Sequence, residues 1–179
     1  VFGTTRNRQD EGKQRHGITY LYMDVRNPDS IKDAVGTVIS KAGSIDVLIN
    51  NAGMGMGGSI EDMEHDEMSL HFETNTFGTI NVTREVLRHM RKQMQGRIIN
   101  IGSVAAYISI PFQAAYSASK AALMSLTFSL RNETRRFGIR TCIVHPGDLK
   151  TNFTFNKKTT AKSMDGSVYH EKMHRSIEV

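Results

Sequence analysis

A chain of 179 residues with 39% hydrophobic and 23% charged side chains has the size of one ordinary globular domain and the composition of neither a disordered tail nor a fibrous repeat. It has no apolar run near the roughly 20 residues that span a bilayer and no signal-peptide core, so no membrane partner is expected; its one cysteine, Cys142, excludes an internal disulfide framework and a cysteine-based zinc site and suits a reducing, cytoplasmic compartment. The net charge of +5 is modest, and Arg6, Arg8, Lys13 and Arg15 crowd one end, which points to a local anion site and not to a nucleic-acid surface.

In chain order, Val1 to Thr4 reads as the end of a strand followed by a polar basic turn. Ile18 to Val25 is a second strand, closed by Arg26, Asn27 and Pro28. Ile31, Ala34, Val35, Val38 and Ile39 recur at helical spacing, with Asp29 or Ser30 as the cap and Gly43 just past the end. Ile45 to Asn50 is a short apolar run of the kind buried on both faces of a parallel sheet. A glycine-rich loop, Gly53 to Gly58, is expected to be flexible and to lie at a substrate entrance. A long helix then runs from about Asp66 to about Met94, Arg97 to Gly102 is a strand, a second long helix covers Gln113 to Phe137, and Arg140 to His145 is a further strand. Successive βα units with short connections predict an α/β domain, a doubly wound parallel sheet of Rossmann type. Residues 1–179 form one domain, with 152–179 as a flap over the site and a short helix from Ser167.

In such sheets, ligands bind where the carboxyl ends of the strands open. The residues just beyond each strand are Arg6, Asp24 and Val25, Asn51, Ala52 and Gly53, Ser103, and Pro146 and Gly147. All lie on one edge.

Tyr116 and Lys120 open the second long helix at i, i+4 spacing, so phenol and ammonium share a face one turn apart. A tyrosine near its usual pKa of about 10 is a poor proton donor or acceptor at neutral pH, and a neighbouring cation favours the phenolate. Such a shift makes it an effective acid–base group, and Ser103 can hydrogen-bond a substrate carbonyl beside it. By spacing alone, the alternative is a tyrosine packed at the sheet edge beside a solvated lysine.

Asn50-Asn51-Ala52-Gly53, Asn75, Ser103, Tyr116 with Lys120, and Pro146-Gly147-Asp148-Leu149-Lys150-Thr151 follow one another in order over residues 1–151. The pattern resembles the short-chain dehydrogenase/reductase family. The resemblance implies an enzyme that interconverts a carbonyl and a secondary alcohol. Tyr116 would be the acid–base group, and Lys120 would lower its pKa and hydrogen-bond the nicotinamide ribose. Ser103 would polarise the substrate carbonyl, and Asn75 would anchor a relay water. Asn51, Ala52 and Gly53 would line the cofactor, Pro146, Gly147 and Thr151 would face the nicotinamide, and Asp24 and Val25 would contact the adenine. Arg6, with no acid before Asp10, suits a ribose 2′-phosphate, so NADP(H) is preferred and NAD(H) possible. The resemblance also suggests a homodimer or homotetramer of the full-length protein, pairing through the long helices.

One family element is absent: no Gly-x-x-x-Gly-x-Gly turn follows a first strand. The expectation is a fragment lacking that βα unit and the carboxyl-terminal end, with an unfilled strand position between Val1 and Ile45 and no turnover by these residues alone. A non-catalytic NADP-binding sensor or scaffold on the same fold is the first alternative. A zinc hydrolase is the second, because His170-Glu171-Lys172-Met173-His174 matches a zinc-protease signature with only Glu178 downstream as a third ligand; no metal is expected. Met54, Met56 and Met63 are candidates to line an apolar pocket, whereas Met68, Met90, Met94 and Met124 read as helix packing and Cys142 as an inert core thiol. Tyr107, Ile108, Ile110, Phe112, Phe153 and Phe155 suggest a small, partly apolar carbonyl or alcohol substrate. Its specificity would come from residues 54–60, 105–113 and the flap.

Overall fold

The structure is a computed structural model that describes residues 1–147, 149, 158–164 and 166–177, with the backbone alone for Met164, His174, Ser176 and Ile177. Thr151, Phe153 and Phe155 therefore lie outside the described residues, as do Asp148, Lys150 and Glu178.

The chain folds as an α/β unit on parallel strands. Strand β1 (Phe2–Thr5) is joined by the short β2 (Gln14–Arg15), which sequence periodicity does not reveal, to β3 (Ile18–Tyr22). The spatial order is β1-β3-β2, with β1 and β3 parallel. Strands β4 (Val47–Asn50), β6 (Gly96–Ile101) and β7 (Ile139–Val144) make a second parallel sheet in that order. Strand β5 (Met56–Gly57) pairs with β8 (Lys158–Thr159). Among the described residues, β1 and β4 each pair with a single strand, and not with each other. That is where the sequence leaves a strand position open.

Helix α1 (Pro28–Ala42) begins on Asn27, whose side chain accepts from the Asp29 and Ser30 N–H groups at 3.0 and 3.2 Å. The cap is thus Asn27 and not Asp29 or Ser30; Pro28 takes the first helical position, where no N–H is needed. Helix α2 (His65–Phe72) and helix α3 (Gly78–Gln93) are separated by a π-helical segment, Glu73–Phe77. The single long helix expected over this stretch therefore carries an inserted wide turn, a feature that tends to mark functional positions. Helix α4 (Ala114–Thr134) ends in a tight turn and a left-handed Gly138.

Helices α1, α3 and α4 cover one face of the sheet. The core joins Ile31, Ala34 and Val35 of α1, Val82, Val86 and Met90 of α3, and Ile98 and Ile139 of the strands. Asn50 donates to Thr83 Oγ1 and Asn100 Oδ1 at 3.0 and 2.9 Å, and Asn100 donates to Thr127 Oγ1 at 2.9 Å. This buried chain ties β4 and β6 to α3 and α4 and fixes the strand ends beneath the site. Because strand side chains alternate between faces, Val47, Ile49, Cys142 and Val144 point the other way and are exposed. Two expectations are corrected here: β4 is not buried on both faces, and Cys142 is a surface thiol and not a core one. Met90 is fully buried, as packing requires, but Met94 is 57% exposed because it forms the left-handed cap of α3.

The glycine-rich loop is not a free entrance loop. Residues 55–59 are buried, and β5 within them is held by β8. A Cβ on Gly58 would overlap the Thr160 side chain, so only glycine permits this approach. Beyond β8 come the short helices α5 (Ala161–Met164) and α6 (His170–Ile177), and residues 161–163, 167 and 169 are fastened to residues 61–67. Asp62 Oδ2 accepts from Ser163 Oγ at 2.9 Å and from Ser167 Oγ at 2.6 Å. Lys162 pairs with Glu64, and the Ala161 N–H donates to Glu67 at 3.1 Å.

Candidate active site

The carboxyl ends of β4, β6 and β7 and the first turns of α4 bring Ser103, Tyr116, Lys120 and Asn75 together. Ser103 follows β6 and is 9% exposed; its Oγ accepts the Ala105 N–H at 3.1 Å, which starts a short turn and aims the hydroxyl at α4. The same hydroxyl hydrogen-bonds the Tyr116 phenol. Lys120 sits one turn further along, its Nζ 5.9 Å from the centre of the Tyr116 ring and donating to the Ile101 carbonyl at 2.8 Å.

Burial raises the Tyr116 phenol above its ordinary pKa, and the Ser103 hydrogen bond works against that shift. The sequence expectation was a phenol lowered by Lys120. The structure differs because the ammonium is turned onto the Ile101 carbonyl, leaving desolvation as the larger influence. Lys120 is 5% exposed, and its burial brings its own pKa down to about 8.

Asn75 lies in the π-helical segment with no exposure. Its Oδ1 accepts the Met54 N–H at 2.8 Å and its Nδ2 donates to the Met54 carbonyl at 2.9 Å. It therefore clamps the backbone just after Gly53 from both sides. A Cβ on Gly53 would lie 3.3 Å from Asn75 Oδ1, a tight approach, and 3.8 Å from Lys120 Nζ, an ordinary contact. The same Nδ2 also lies 3.3 Å from Ser119 Oγ and 2.7 Å from His71 Nε2, so its two N–H bonds are shared among these two and the Met54 carbonyl.

His71 escaped the sequence reading, although its i, i+4 relation to Asn75 was there to be noticed. It is fully buried, its ring meets the Tyr116 ring edge-on with centroids 5.9 Å apart, and desolvation followed by the Lys120 charge lowers its pKa to about 4. Asn75 Nδ2 points at Nε2, so the proton of the neutral ring is on Nδ1, where it has no partner among the described residues. His145, which reads from sequence as a strand-end residue and not a catalyst, is a second support: its Nδ1 lies 2.8 Å from the Ser103 carbonyl.

At the cofactor end the expected residues divide. Asn51, Ala52 and Gly53 are exposed at the tip of β4, with Pro146 half-buried and Gly147 exposed beyond β7. Arg6 is exposed at the end of β1, and its charge reaches Asp24, which accepts from Arg26 at 2.8 Å. Three other basic residues are occupied, Lys13 and Arg15 on Asp10 and Arg8 over the Tyr22 ring at 4.0 Å, whereas Arg6 makes no ion pair among the described residues. The Val25 side chain is core, packed against α3 at Gly78, so a contact with the cofactor from this position would be made by its backbone. The described residues hold no cluster of three or more metal-ligating side chains, and His170 Nδ1 lies against the Ser163 carbonyl at 3.2 Å. No helix among them is long and apolar enough to cross a membrane.

Comparison with known proteins follows the same lines. The family described as short chain dehydrogenase matches residues 4–162. A 3-ketodihydrosphingosine reductase from Bacteroides thetaiotaomicron is 41% identical over 180 aligned residues, covering 100% of this chain and 65% of that protein. Dehydrogenase/reductase SDR family member 7B from Bos taurus is 35% identical over 158 residues, covering 88% of this chain and 47% of its own length. Among solved structures, a short-chain dehydrogenase from Streptomyces avermitilis superposes with a TM-score of 0.84 at 31% identity, over 99% of this chain and 68% of its own. An ElxO variant solved with NADPH bound gives 0.78 at 26% identity, over 84% and 64%. The fold, the order of its strand-end residues and these likenesses agree, and the chain belongs to the short-chain dehydrogenase/reductase family.

Proposed function

We propose that this chain carries the reacting centre of an NADP(H)-dependent reductase that interconverts a carbonyl and a secondary alcohol. The observation that carries the reading is the Ser103–Tyr116 hydrogen bond with Lys120 Nζ one helical turn behind the phenol. A raised phenol is protonated at neutral pH, so Tyr116 O–H can give its proton to the oxygen of a bound ketone. Ser103 Oγ orients that oxygen, and Lys120 presents positive charge beside the phenolate that forms. A nicotinamide cofactor, when bound, supplies the hydride; the chain supplies orientation and the proton.

The residues present suit such a cofactor at two places. Residues 51–53 are exposed with Gly53 beside the Lys120 ammonium, a backbone surface suited to a nicotinamide ribose. Arg6, exposed and clear of the ion pairs that occupy its neighbours, matches a ribose 2′-phosphate through two charge-assisted hydrogen bonds. That favours NADP(H) over NAD(H), and the NADPH-bound likeness supports it. The substrate class we extend to this chain is that printed in the name of its 41% identical relative, a 3-ketodihydrosphingosine. Self-association through α3 and α4 belongs to the same reading, supported by the exposed Phe77, Leu126 and Phe128.

The test is Tyr116→Phe in the complete gene product. Ketone-dependent NADPH oxidation is expected to disappear while NADPH binding, followed by its fluorescence, persists. Turnover that survives the change would remove Tyr116 from the acid–base role.

A further inference from the structure

Beyond Ile101 and Val144, the last pair of the β6–β7 ladder, the two chains stay joined where the site begins. The Gly102 N–H donates to the Val144 carbonyl at 2.7 Å, and the Val104 N–H donates to the Pro146 carbonyl at 3.2 Å. Between these two bonds lies Ser103, and the side chain of His145 meets its carbonyl oxygen, with Nδ1 at 2.8 Å. A carbonyl oxygen only accepts, so that ring nitrogen carries the proton, and the neutral imidazole is the Nδ1–H tautomer. The same oxygen also takes the Ala106 N–H at 3.1 Å. That bond lies within the turn and moves with it, whereas the one from His145 comes from the neighbouring strand end.

The ring is held closely in place. A Cβ on Gly102 would come within 2.8 Å of Nδ1 and 2.9 Å of Cε1, so the imidazole lies in space that glycine leaves open. The Tyr107 ring packs on it with centroids 4.7 Å apart. Its other nitrogen, Nε2, is buried and has no hydrogen-bond partner among the described residues. A buried acceptor left unmatched is a cost that an apolar side chain of similar size would not carry. What the imidazole adds at this position is therefore its Nδ1 donor.

Ser103 is where such a tie matters. Its Oγ accepts the Ala105 N–H at 3.1 Å and hydrogen-bonds the Tyr116 phenol, so a turn of the Ser103 peptide would carry the hydroxyl away from the phenol. His145 also stands immediately before Pro146 and Gly147, the positions that the family resemblance sets against the nicotinamide. One imidazole thus links the strand end on the cofactor side to the hydroxyl on the substrate side.

We infer that His145 is a positioning residue for carbonyl reduction: its Nδ1–H holds the Ser103 peptide so that the serine hydroxyl meets both the Tyr116 phenol and the oxygen of the ketone. Its part is to orient and not to exchange a proton. This rests on the reductase reading and adds to it a residue outside the set of Ser103, Tyr116, Lys120 and Asn75.

The experiment is steady-state ketone reduction by the complete gene product carrying His145→Leu or His145→Asn, each alone and combined with Ser103→Ala. Leucine removes the donor. Asparagine sets an amide N–H where Nδ1 stood and puts nothing in place of Nε2. With the melting temperature as the fold check, His145→Leu is expected to lower kcat about fivefold, the weight of one hydrogen bond, and to leave the KM for NADPH unchanged. His145→Asn is expected to restore most of that loss. On top of Ser103→Ala, the leucine substitution is expected to cost nothing further, because it acts through that hydroxyl. An undiminished kcat in folded His145→Leu overturns the inference, as does a loss of the same size on top of Ser103→Ala. A folded His145→Asn as slow as His145→Leu also overturns it, by giving the role to Nε2. If His145→Leu does not fold, His145→Asn and the ring's own spectrum decide. Nitrogen NMR of the imidazole needs no turnover: the Nδ1–H tautomer is expected, and an Nε2–H tautomer overturns the inference whatever the kinetics. If no ketone is reduced while the ring is the Nδ1–H tautomer, the reductase reading fails and the hold on Ser103 stands.

Discussion

Replacing Asn75 by alanine tests whether this side chain holds the cofactor loop or merely fills space. Three strong hydrogen bonds end on it, two to the Met54 backbone at 2.8 and 2.9 Å and one to His71 Nε2 at 2.7 Å. The site has no exposure, so no water is at hand to take them over. Losing a neutral hydrogen bond costs about 1 kcal/mol, and a buried group left unsatisfied costs about 1–3 kcal/mol. With the Met54 N–H and carbonyl able to turn partly towards solvent, the net expectation is about 3 kcal/mol. In a domain of this size that lowers the melting temperature by roughly 6–12 °C. The assay is thermal and urea unfolding of the complete gene product, with the KM for NADPH measured alongside, because residues 51–53 should loosen with Met54. Asn75→Asp is the informative companion: it keeps an acceptor for the Met54 N–H but sets a carboxylate oxygen against the Met54 carbonyl. A loss below about 1 kcal/mol with an unchanged KM would refute the clamp.

The pH profile offers a further test. With Lys120 at about 8 and the phenol raised, kcat/KM for ketone reduction is expected to be flat through neutrality and to fall above about pH 8, while alcohol oxidation keeps rising as Tyr116 ionises. The unfolded chain keeps the Lys120 proton up to about 10.5, so this group makes stability rise from pH 8 to that value, and Lys120→Met should lack the rise in urea unfolding. His71, held near 4 against 6.5 unfolded, contributes stability that is present above 6.5 and lost as pH falls towards 4; His71→Phe should flatten that acid limb, and an unchanged limb would place the proton elsewhere. Arg6→Ala is expected to cut the NADPH-over-NADH preference about tenfold in kcat/KM, as loss of charge-assisted hydrogen bonds implies; an unaltered ratio would remove Arg6 from the 2′-phosphate.

The chemistry was easier to read than its setting. Helical spacing puts Tyr116 and Lys120 on one face and the strand rule puts Ser103 at the same edge, but it was the ordered set of motifs resembling the family that set them apart from a tyrosine packed beside a solvated lysine. Asn51 to Gly53 follow by the strand rule. The sign of the Tyr116 shift was not legible, because it depends on desolvation and on the direction of the Lys120 ammonium, neither of which spacing encodes. The π-helical turn at Glu73–Phe77 was hidden because apolar periodicity continues through it with a phase slip of only one residue. Cys142 was misplaced because an apolar strand residue does not say which of its two faces the helices cover. The pairing of Met56 and Gly57 with Lys158 and Thr159 joins positions about a hundred residues apart, and no local pattern carries that register.

That pairing also bears on the order in which the molecule assembles. The contacts that fasten the last described segment, β5 on β8 and Asp62 on Ser163 and Ser167, have the long sequence separation that is slowest to be reached and most expensive in chain entropy. The sheet beneath and its covering helices have a core of their own and do not depend on them. Amide protons of residues 56–62, 158–164 and 166–169 are therefore expected to exchange through a local opening of low free energy, while those of β6 and α3 wait for global unfolding. Any ligand that bridges the two segments would act as their missing stability, and binding would be read out as protection in exactly those amides.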